Sequence, residues 1–213
     1  MNWENKASLI KKAVNSTRPG LRSQLTMAPE PRPGHKVYSE VKGQCKKAGI
    51  MILFFPKKNQ LHLILTLRTA LVQYHPNQIS FPGGQCDPKE NPLDAALRET
   101  EEELGIESTG IKILGQLTPL YIPPSDYCVY PVVGFMNQQP EYVPRTKEVA
   151  EVIEIPVSHL MDDRNSIIET WELNEREVKV PFYLFDHQKI WGATAMVLAE
   201  LLDIIRPVLK NQL

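Results

Sequence analysis

Three glutamates at helical spacing, Glu99, Glu102 and Glu103, are the residues of this sequence best suited to chemistry. At about 100° per residue, they fall within an arc of about 100° on one side of a helix. Like charges at these spacings destabilise an isolated helix. Arg98 supplies one i,i+4 partner for Glu102, but a single guanidinium cannot neutralise three carboxylates. Hard divalent cations that prefer oxygen ligands, Mg²⁺ or Mn²⁺, are the natural counterions.

The helix that carries these glutamates has recognisable ends. Asn91 is the expected N-cap, Pro92 the expected first helical residue and Gly105 the expected stop. The positions expected to form its buried stripe are Leu93, Ala96, Leu97, Thr100 and Leu104. The competing interpretation of the glutamates is a solvated acidic helix face without a ligand.

The residues around the helix favour a ligand. Gly84 is followed after five residues by Glu90, and after seven more by Arg98-Glu99-x-x-Glu102-Glu103-x-Gly105-Ile106. This spacing is that of the Nudix box, and the chain therefore resembles the Nudix hydrolases. One departure is Thr100, where that family usually has an aliphatic residue; the threonine methyl group can still face the core.

The resemblance implies a role for each residue of the motif. The implied metal ligands are Glu99, Glu102, Glu103 and the carbonyl of Gly84. Arg98 would orient Glu99, and Glu90 would brace Arg98. A loop-to-helix salt bridge without a mechanistic part is an alternative for Arg98 and Glu90, and the two interpretations are compatible.

Hydrolysis also needs a general base, and the family resemblance offers two positions. Glu148 lies where several Nudix subgroups place a glutamate from a later loop, and a glutamate of the box, Glu99, is the alternative. Glu148 could equally be a solvated residue at the end of a strand. His75 and His187 are isolated, and lone histidines are more often structural or surface residues. No Ser-His-Asp or Cys-His pattern supports covalent catalysis.

A second resemblance concerns the substrate. Leu65-Thr66-Leu67-Arg68 and Phe81-Pro82-Gly83-Gly84 look like the signature of the coenzyme A pyrophosphatase branch, which implies cleavage of coenzyme A to 3′,5′-ADP and 4′-phosphopantetheine. The departures are Ile64, Thr69, Gln73 and Asn77; Gln73 replaces a cation. Two alternatives stay open: hydrolysis of ADP-ribose, NADH or another nucleoside diphosphate derivative, and a catalytically silent ligand-sensing Nudix module. The complete acid set argues against the silent module.

The expected substrate contacts are Arg68, Gly83, Gly84 and Tyr127. Arg68, at the end of a strand, could reach an anionic group of the substrate. Coenzyme A carries a 3′-phosphate that ADP-ribose and NADH lack. Discrimination between these substrates should therefore come from cations outside the metal site.

Composition limits the other classes of function. The 213 residues are 42% apolar and 23% charged with net charge −1, which indicates an ordinary globular domain and no global attraction to nucleic acid. The expected division is an N-terminal helix and extended arm over 1–36 and a Nudix domain over 37–213. A small nucleotide substrate is the expected partner, and a homodimer is left open.

Three separate cysteines and short apolar runs indicate a cytoplasmic protein without a membrane span. Cys45, Cys86 and Cys128 form no Cys-x-x-Cys pair, so reduced thiols are expected. The longest apolar run, 48–55, is too short to cross a bilayer. The N-terminus lacks the apolar core of a signal peptide.

The remaining elements predict an α/β protein. Strands are expected at 47–55, 61–67, 111–117, 129–136 and 148–155, with a late hairpin at 170–173 and 177–184. Helices are expected at 2–15, 156–161 and 191–205, and 121–127 is expected to be a loop. Pro131 suggests an edge strand or a bulge. These elements indicate an α/β/α sandwich with a mixed β-sheet, the Nudix fold.

Overall fold

A computed structural model describes residues 2–16, 18–34, 36–70, 77–144, 148–173 and 175–210. The helices are α1 Trp3–Ser16, α2 Leu21–Gln24, α3 Tyr38–Val41, α4 Pro92–Leu104, α5 Val157–Leu160 and α6 Gly192–Leu209. The strands are β1 Lys46–Lys57, β2 Gln60–Arg68, β3 Ile79–Ser80, β4 Gly83–Gln85, β5 Lys112–Gln116, β6 Leu120–Ile122, β7 Tyr127–Phe135, β8 Val149–Pro156, β9 Ser166–Leu173, β10 Arg176–Phe185 and β11 Gln188–Trp191.

The first strand organises the larger sheet because its partner changes along its length. β1 runs parallel to β7, pairs with β4 through 48–50, and pairs with β2 through 54–57. β2 in turn pairs with β3 and β8, and β7 pairs with β5 and β6. The strands β9, β10 and β11 form a smaller antiparallel sheet. Parallel and antiparallel pairs in one sheet confirm the predicted mixed α/β fold.

Alternate residues of β1 supply two cores, one on each face of the sheet. Met51, Leu53 and Phe55 pack with Ala96 and Leu104 of α4. Ile52 and Phe54, on the opposite face, pack with residues of α1 and α6. Such alternation is expected of a strand that is covered by helices on both faces. The sandwich predicted from the sequence is therefore present.

The helix predicted at 2–15 is present as α1, whereas the segment after it, predicted to be an extended arm, contains short helical turns. α1 buries Ile10 and Ala13 in the main core, and α2 with a 3₁₀ turn at 25–27 follows. The bond between Glu30 and Pro31 is cis, and Glu30 pairs with Lys179. The short helical turns bury Gln24 and Met27, and Gln24 donates hydrogen bonds to Thr118 and Glu200, so packing on the domain outweighs the turn-forming residues around them. The division at residue 36 stays a prediction.

Two further expectations were wrong in part. The segment expected to be a loop at 121–127 contains most of β6 and the first residue of β7. Pro131 lies in a central strand, between β1 and the strands β5 and β6. It stands where the partner of β7 changes from β6 to β5, so its missing N–H interrupts no ladder bond, and its carbonyl accepts from the Leu117 N–H at 3.0 Å.

The expectation of three reduced thiols was also wrong, because Cys45 and Cys128 form a disulfide. The parallel register pairs Lys46 with Tyr127 and Lys47 with Cys128, and this brings cysteines 83 positions apart within 5.7 Å between their Cα atoms. Cys86 is a free, half-buried thiol. Among the described residues, no helix combines the length and apolar character that crossing a membrane requires.

Candidate active site

The ends of α4 are those that the sequence predicts. The Asn91 side chain accepts hydrogen bonds from the N–H groups of Leu93 and Asp94 at 3.0 and 3.1 Å. Gly105 has φ 73°, and its N–H donates to the Glu101 carbonyl at 2.8 Å. These caps satisfy backbone groups that a helix end leaves unpaired. The helix between these caps therefore includes all three glutamates of the acidic face.

Close packing fixes α4 against β1. A Cβ atom at Gly49 of β1 would lie 1.9 Å from the Pro92 carbonyl oxygen, so the approach requires a glycine. Ala96, Thr100 and Leu104 are buried as predicted. Leu93 and Leu97 are only partly buried, but they pack against the same core. The first turn of the helix is thus held directly on the sheet.

The glycine pair of β4 brings the backbone against two glutamates of α4. A Cβ atom at Gly84 would lie 2.3 Å from a carboxylate oxygen of Glu99, so any side chain there would displace the carboxylate. Gly83 has φ 150°, and its N–H donates to Glu103 Oε2 at 3.2 Å. Gly83 and Gly84 therefore let the Glu99 and Glu103 side chains lie directly against the backbone of β4.

Arg98 holds the glutamates of the box together. Its Nε and Nη2 donate to Glu90 at 2.9 and 3.0 Å, and its Nη1 donates to Glu99 and Glu102 at 2.9 and 3.1 Å. Nη2 also donates to the Gln85 carbonyl at 3.0 Å. The hydrogen bonds that Arg98 donates to Glu90 and Glu99 raise the pKa of Arg98, and the bonds that Glu90 accepts from Arg98 lower the pKa of Glu90. One guanidinium thus contacts three carboxylates, and the roles that the family resemblance implies for Arg98, Glu90 and Glu99 stay predictions.

Glu103 is the most deeply buried carboxylate of this group, with 4% of the residue exposed. Burial raises its pKa to about 7, although the Gly83 N–H and the charge of Arg68 act in the opposite direction. Burial likewise raises the pKa of Glu99, although its bond to Arg98 lowers it. Glu99 and Glu103 thus lie side by side on one helix face, where burial disfavours the charged form of each carboxylate. Buried carboxylates in such an arrangement usually have a counterion.

Arg68 and Glu148 complete the cluster from the opposite side. The Arg68 guanidinium lies 3.2 Å from Glu148 and 3.8 Å from Glu103. The Thr69 N–H donates to the Glu148 carbonyl at 2.8 Å, so the ends of β2 and β8 are joined at this point. The structure therefore brings Arg68, Glu148 and Glu103 together from three elements that are far apart in the sequence.

Tyr127, the remaining predicted residue, lies at the edge of the same site. Its hydroxyl donates to Gln85 Oε1 at 2.5 Å, and Lys46 Nζ lies 5.6 Å from its ring centroid. Sequence reasoning missed Gln85 and Lys46. The position of Gln85, directly after the glycine pair, was a usable signal for that residue, whereas Lys46 depends on strand register. His187 lies in the turn between β10 and β11, and Gln73 and His75 lie outside the described residues.

The donor set of this site suits a hard divalent cation. It consists of carboxylate oxygens and a backbone carbonyl, the ligands that Mg²⁺ and Mn²⁺ prefer. Over the described ranges, no three acidic, histidine or cysteine side chains already stand in a metal-binding arrangement. Arg98 and Arg68 instead occupy the glutamate oxygens. The crowded, buried acids nevertheless fit a cation, because added positive charge would relieve both burial and repulsion.

An acidic helix face beside a glycine turn, on a mixed sheet between helices, is suited to hold divalent cations, which can neutralise the charge of a phosphoric anhydride. A family model described as the NUDIX domain matches residues 46–171, and the chain belongs to that family. The predicted Nudix resemblance is thus confirmed, and the chain is a pyrophosphatase of the hydrolase class.

Similar proteins agree with this assignment. The uncharacterized Nudix hydrolase NudL of Pectobacterium atrosepticum is 30% identical over 84% of this chain and 89% of its own length. The human mitochondrial coenzyme A diphosphatase NUDT8 is 32% identical over 68% of this chain and 63% of its own length. The Nudix hydrolase RenU from M. smegmatis superposes with a TM-score of 0.55 at 16% identity, over 76% of this chain and 87% of its own; it shares the fold.

Proposed function

We propose that this chain hydrolyses the pyrophosphate bond of coenzyme A or a short acyl-coenzyme A, releasing 3′,5′-ADP and 4′-phosphopantetheine. The observation that carries the proposal is that the two segments of the coenzyme A pyrophosphatase signature, 65–68 and 81–84, both contact the Glu103 carboxylate. Arg68, from the first half, lies 3.8 Å from Glu103, and the Gly83 N–H, from the second half, donates to Glu103 at 3.2 Å. β3 makes this possible, because Ser80 pairs with Thr66 and Ile79 with Leu67.

The proposed cofactor is Mg²⁺ or Mn²⁺. Its ligands would be Glu99, Glu102, Glu103 and the Gly84 carbonyl. When bound, the cation would neutralise charge on the pyrophosphate and activate water. Arg98 would keep Glu99 and Glu102 oriented, and Glu90 would hold Arg98, as their hydrogen bonds support.

The proposed general base is Glu148, which would take a proton from the attacking water. Its carboxylate is more than half exposed and lies 3.2 Å from Arg68, so it is open to solvent beside the acid cluster. Arg68, which Glu103 and Glu148 engage from two sides, is best suited to contact the pyrophosphate itself. Gly83, Gly84 and Tyr127 would contact the rest of the substrate. A cytoplasmic location and a homodimer stay predictions.

A hydrolysis panel tests the proposal. The substrates are coenzyme A, acetyl-coenzyme A, ADP-ribose, NADH and a nucleoside triphosphate, each with Mg²⁺, with Mn²⁺ and with a chelator. Coenzyme A or its acetyl derivative should show the highest kcat/KM, and the chelator should abolish all turnover. Faster cleavage of ADP-ribose or NADH would replace the proposal with a broader pyrophosphatase. The absence of turnover on every substrate would favour a ligand-sensing module.

A further inference from the structure

An exposed lysine, Lys46, and a half-buried tyrosine, Tyr127, form a pair at one end of the larger sheet. The parallel register of β1 and β7 sets Lys46 opposite Tyr127, with the ammonium 5.6 Å from the ring centroid. Within the described residues, no carboxylate lies within 4.0 Å of the Lys46 ammonium. The lysine therefore has an aromatic support and an uncompensated charge.

Hydrogen bonds connect Tyr127 of this pair to β4, the strand that contains Gly83 and Gly84. The Tyr127 hydroxyl donates to the Gln85 side chain at 2.5 Å, and the Gln85 carbonyl accepts from Arg98 at 3.0 Å. Gln85 directly follows Gly84, and one residue of strand spans about 3.4 Å. Lys46 lies three residues before Gly49, the β1 partner of Gly84, which is about 10 Å along the strand, and its side chain is on the sheet face opposite α4. A substrate whose pyrophosphate lies at Gly84 and the box glutamates would therefore have to extend past Gln85, at the edge of the sheet, to meet Lys46.

The pair is also held in place from both sides. The disulfide joins Cys45, which precedes Lys46, to Cys128, which follows Tyr127. The Lys46 N–H donates to the Asp126 carbonyl at 3.0 Å. The carboxylate of Asp126, the acid adjacent to Tyr127, accepts from the Tyr121 hydroxyl at 3.0 Å. The backbone of both residues is thus fixed, which lowers the cost of ordering a binding group.

We propose that Lys46, supported by Tyr127, binds a phosphomonoester that the substrate carries in addition to its pyrophosphate. The inference rests on the proposed function, in which that group is the 3′-phosphate of coenzyme A. A lysine ammonium is a compact charge with three donors, which suits a terminal phosphate dianion. Arg68 is engaged by two carboxylates, whereas Lys46 leaves its charge available for this group.

The test compares coenzyme A with 3′-dephospho-coenzyme A on wild type, Lys46→Ala and Lys47→Ala. Lys47 is the matched control, because it is the next residue and is also exposed, but alternation along β1 turns its side chain to the face of Gly49 and α4. Its removal therefore takes away a cation on the side of the acid helix without touching the lysine that pairs with Tyr127. Wild type should prefer coenzyme A. Lys46→Ala should reduce that preference about tenfold, mainly through KM, because it loses one charge-assisted contact at an exposed site. Lys47→Ala should keep the preference within about twofold, the range expected of surface substitutions.

A binding measurement separates this inference from the proposed function. Adenosine 3′,5′-bisphosphate and AMP are compared as competitive inhibitors against whichever substrate of the panel wild type cleaves. Lys46→Ala should weaken the bisphosphate about tenfold more than AMP, and the difference should shrink at high ionic strength. Equal weakening of both inhibitors, or the same result in Lys47→Ala, would overturn the Lys46 assignment. Lack of coenzyme A turnover in wild type would instead overturn the proposed function and leave the inhibition result standing.

Discussion

Two buried glutamates, Glu200 of α6 and Glu103 of α4, have opposite surroundings. Glu200 is fully buried and accepts three hydrogen bonds: from the Gln24 side chain at 2.8 Å, from the Thr118 N–H at 3.2 Å and from the Thr118 hydroxyl at 2.7 Å. Both of its oxygens are therefore engaged. The bonds join α2, the connection before β6, and α6, so the carboxylate is a structural joint.

Glu103 has far less support. Among the described residues it accepts one hydrogen bond, from the Gly83 N–H at 3.2 Å, and its closest cation is Arg68 at 3.8 Å. The charges of Glu99 and Glu148 raise its pKa further, in addition to burial. The difference teaches that burial alone does not mark a functional acid. Burial with too few donors, next to other acids, indicates an ion that the site is shaped to receive.

Removal of the charge at Glu103 should give the largest change in activity. Glu103→Gln keeps the shape of the side chain but loses a proposed metal ligand, and so does Glu102→Gln. Replacing residues that only orient a ligand typically costs ten- to a hundredfold, so kcat should fall by more than about a hundredfold. Steady-state kinetics with saturating Mg²⁺ measure this effect, and a cooperative melt shows that the fold survives.

Two controls sharpen the comparison. Glu101→Gln changes an acid on the same helix that points away from the acid face, and it should keep kcat within about twofold. Glu200→Gln should behave in the opposite way to Glu103→Gln. An amide NH₂ there would face a donor of Gln24 or Thr118, so the free energy of unfolding should fall by about 1–3 kcal/mol while the folded enzyme keeps its kcat. Wild-type turnover in Glu102→Gln or Glu103→Gln would refute the metal assignment.

Glu148 should give the next largest effect. If it takes the proton from water, Glu148→Gln should lower kcat by about a hundredfold, within the usual range for general base catalysis, with little change in KM. Because its carboxylate pairs with Arg68, Arg68→Ala provides a comparison, and loss of a substrate contact there should change KM more than kcat. Normal turnover in Glu148→Gln would return the role of base to Glu99.

The features of α4 could be predicted because they depend on neighbours in the sequence. Asn91, Pro92 and Gly105 fix the ends of the helix through local backbone bonds, and the arc that holds Glu99 and Glu103 follows from helix geometry alone. The order of strands and helices along the chain likewise predicted a sandwich. In each case the determining interactions lie within a few residues or follow a simple period.

Other features depend on register between distant segments and could not be predicted. The disulfide of Cys45 and Cys128, the contact of Lys46 with Tyr127, and the position of Pro131 all follow from how β1 and β7 align. A shift of one residue would turn each side chain to the other face of the sheet. The depth at which Glu103 is buried has the same origin, since it depends on how α4 packs over Gly49 and Gly84.

The smallest expected effect is a pH dependence of the metal-free protein. The pKa of Glu103 is about 7 in the folded chain, against 4.5 as its ordinary value. Between these values the folded state binds a proton that the unfolded state has lost, so the stabilising contribution of neutral Glu103 is complete below pH 4.5 and is lost as pH rises through 7. The resulting loss in the free energy of unfolding is about 3 kcal/mol.

Urea unfolding in a chelator should show this decline from about pH 5 to 7.5 in wild type. Glu103→Gln should be slightly less stable than wild type at the acid end of this range. At the neutral end it should be more stable than wild type, and by a larger margin. Mg²⁺ should reverse the trend in wild type, because the cation binds the charged carboxylate and stabilises the folded state. An identical pH slope in wild type and Glu103→Gln would mean that the buried glutamate is as well satisfied as Glu200, and the contrast between the two acids would not hold.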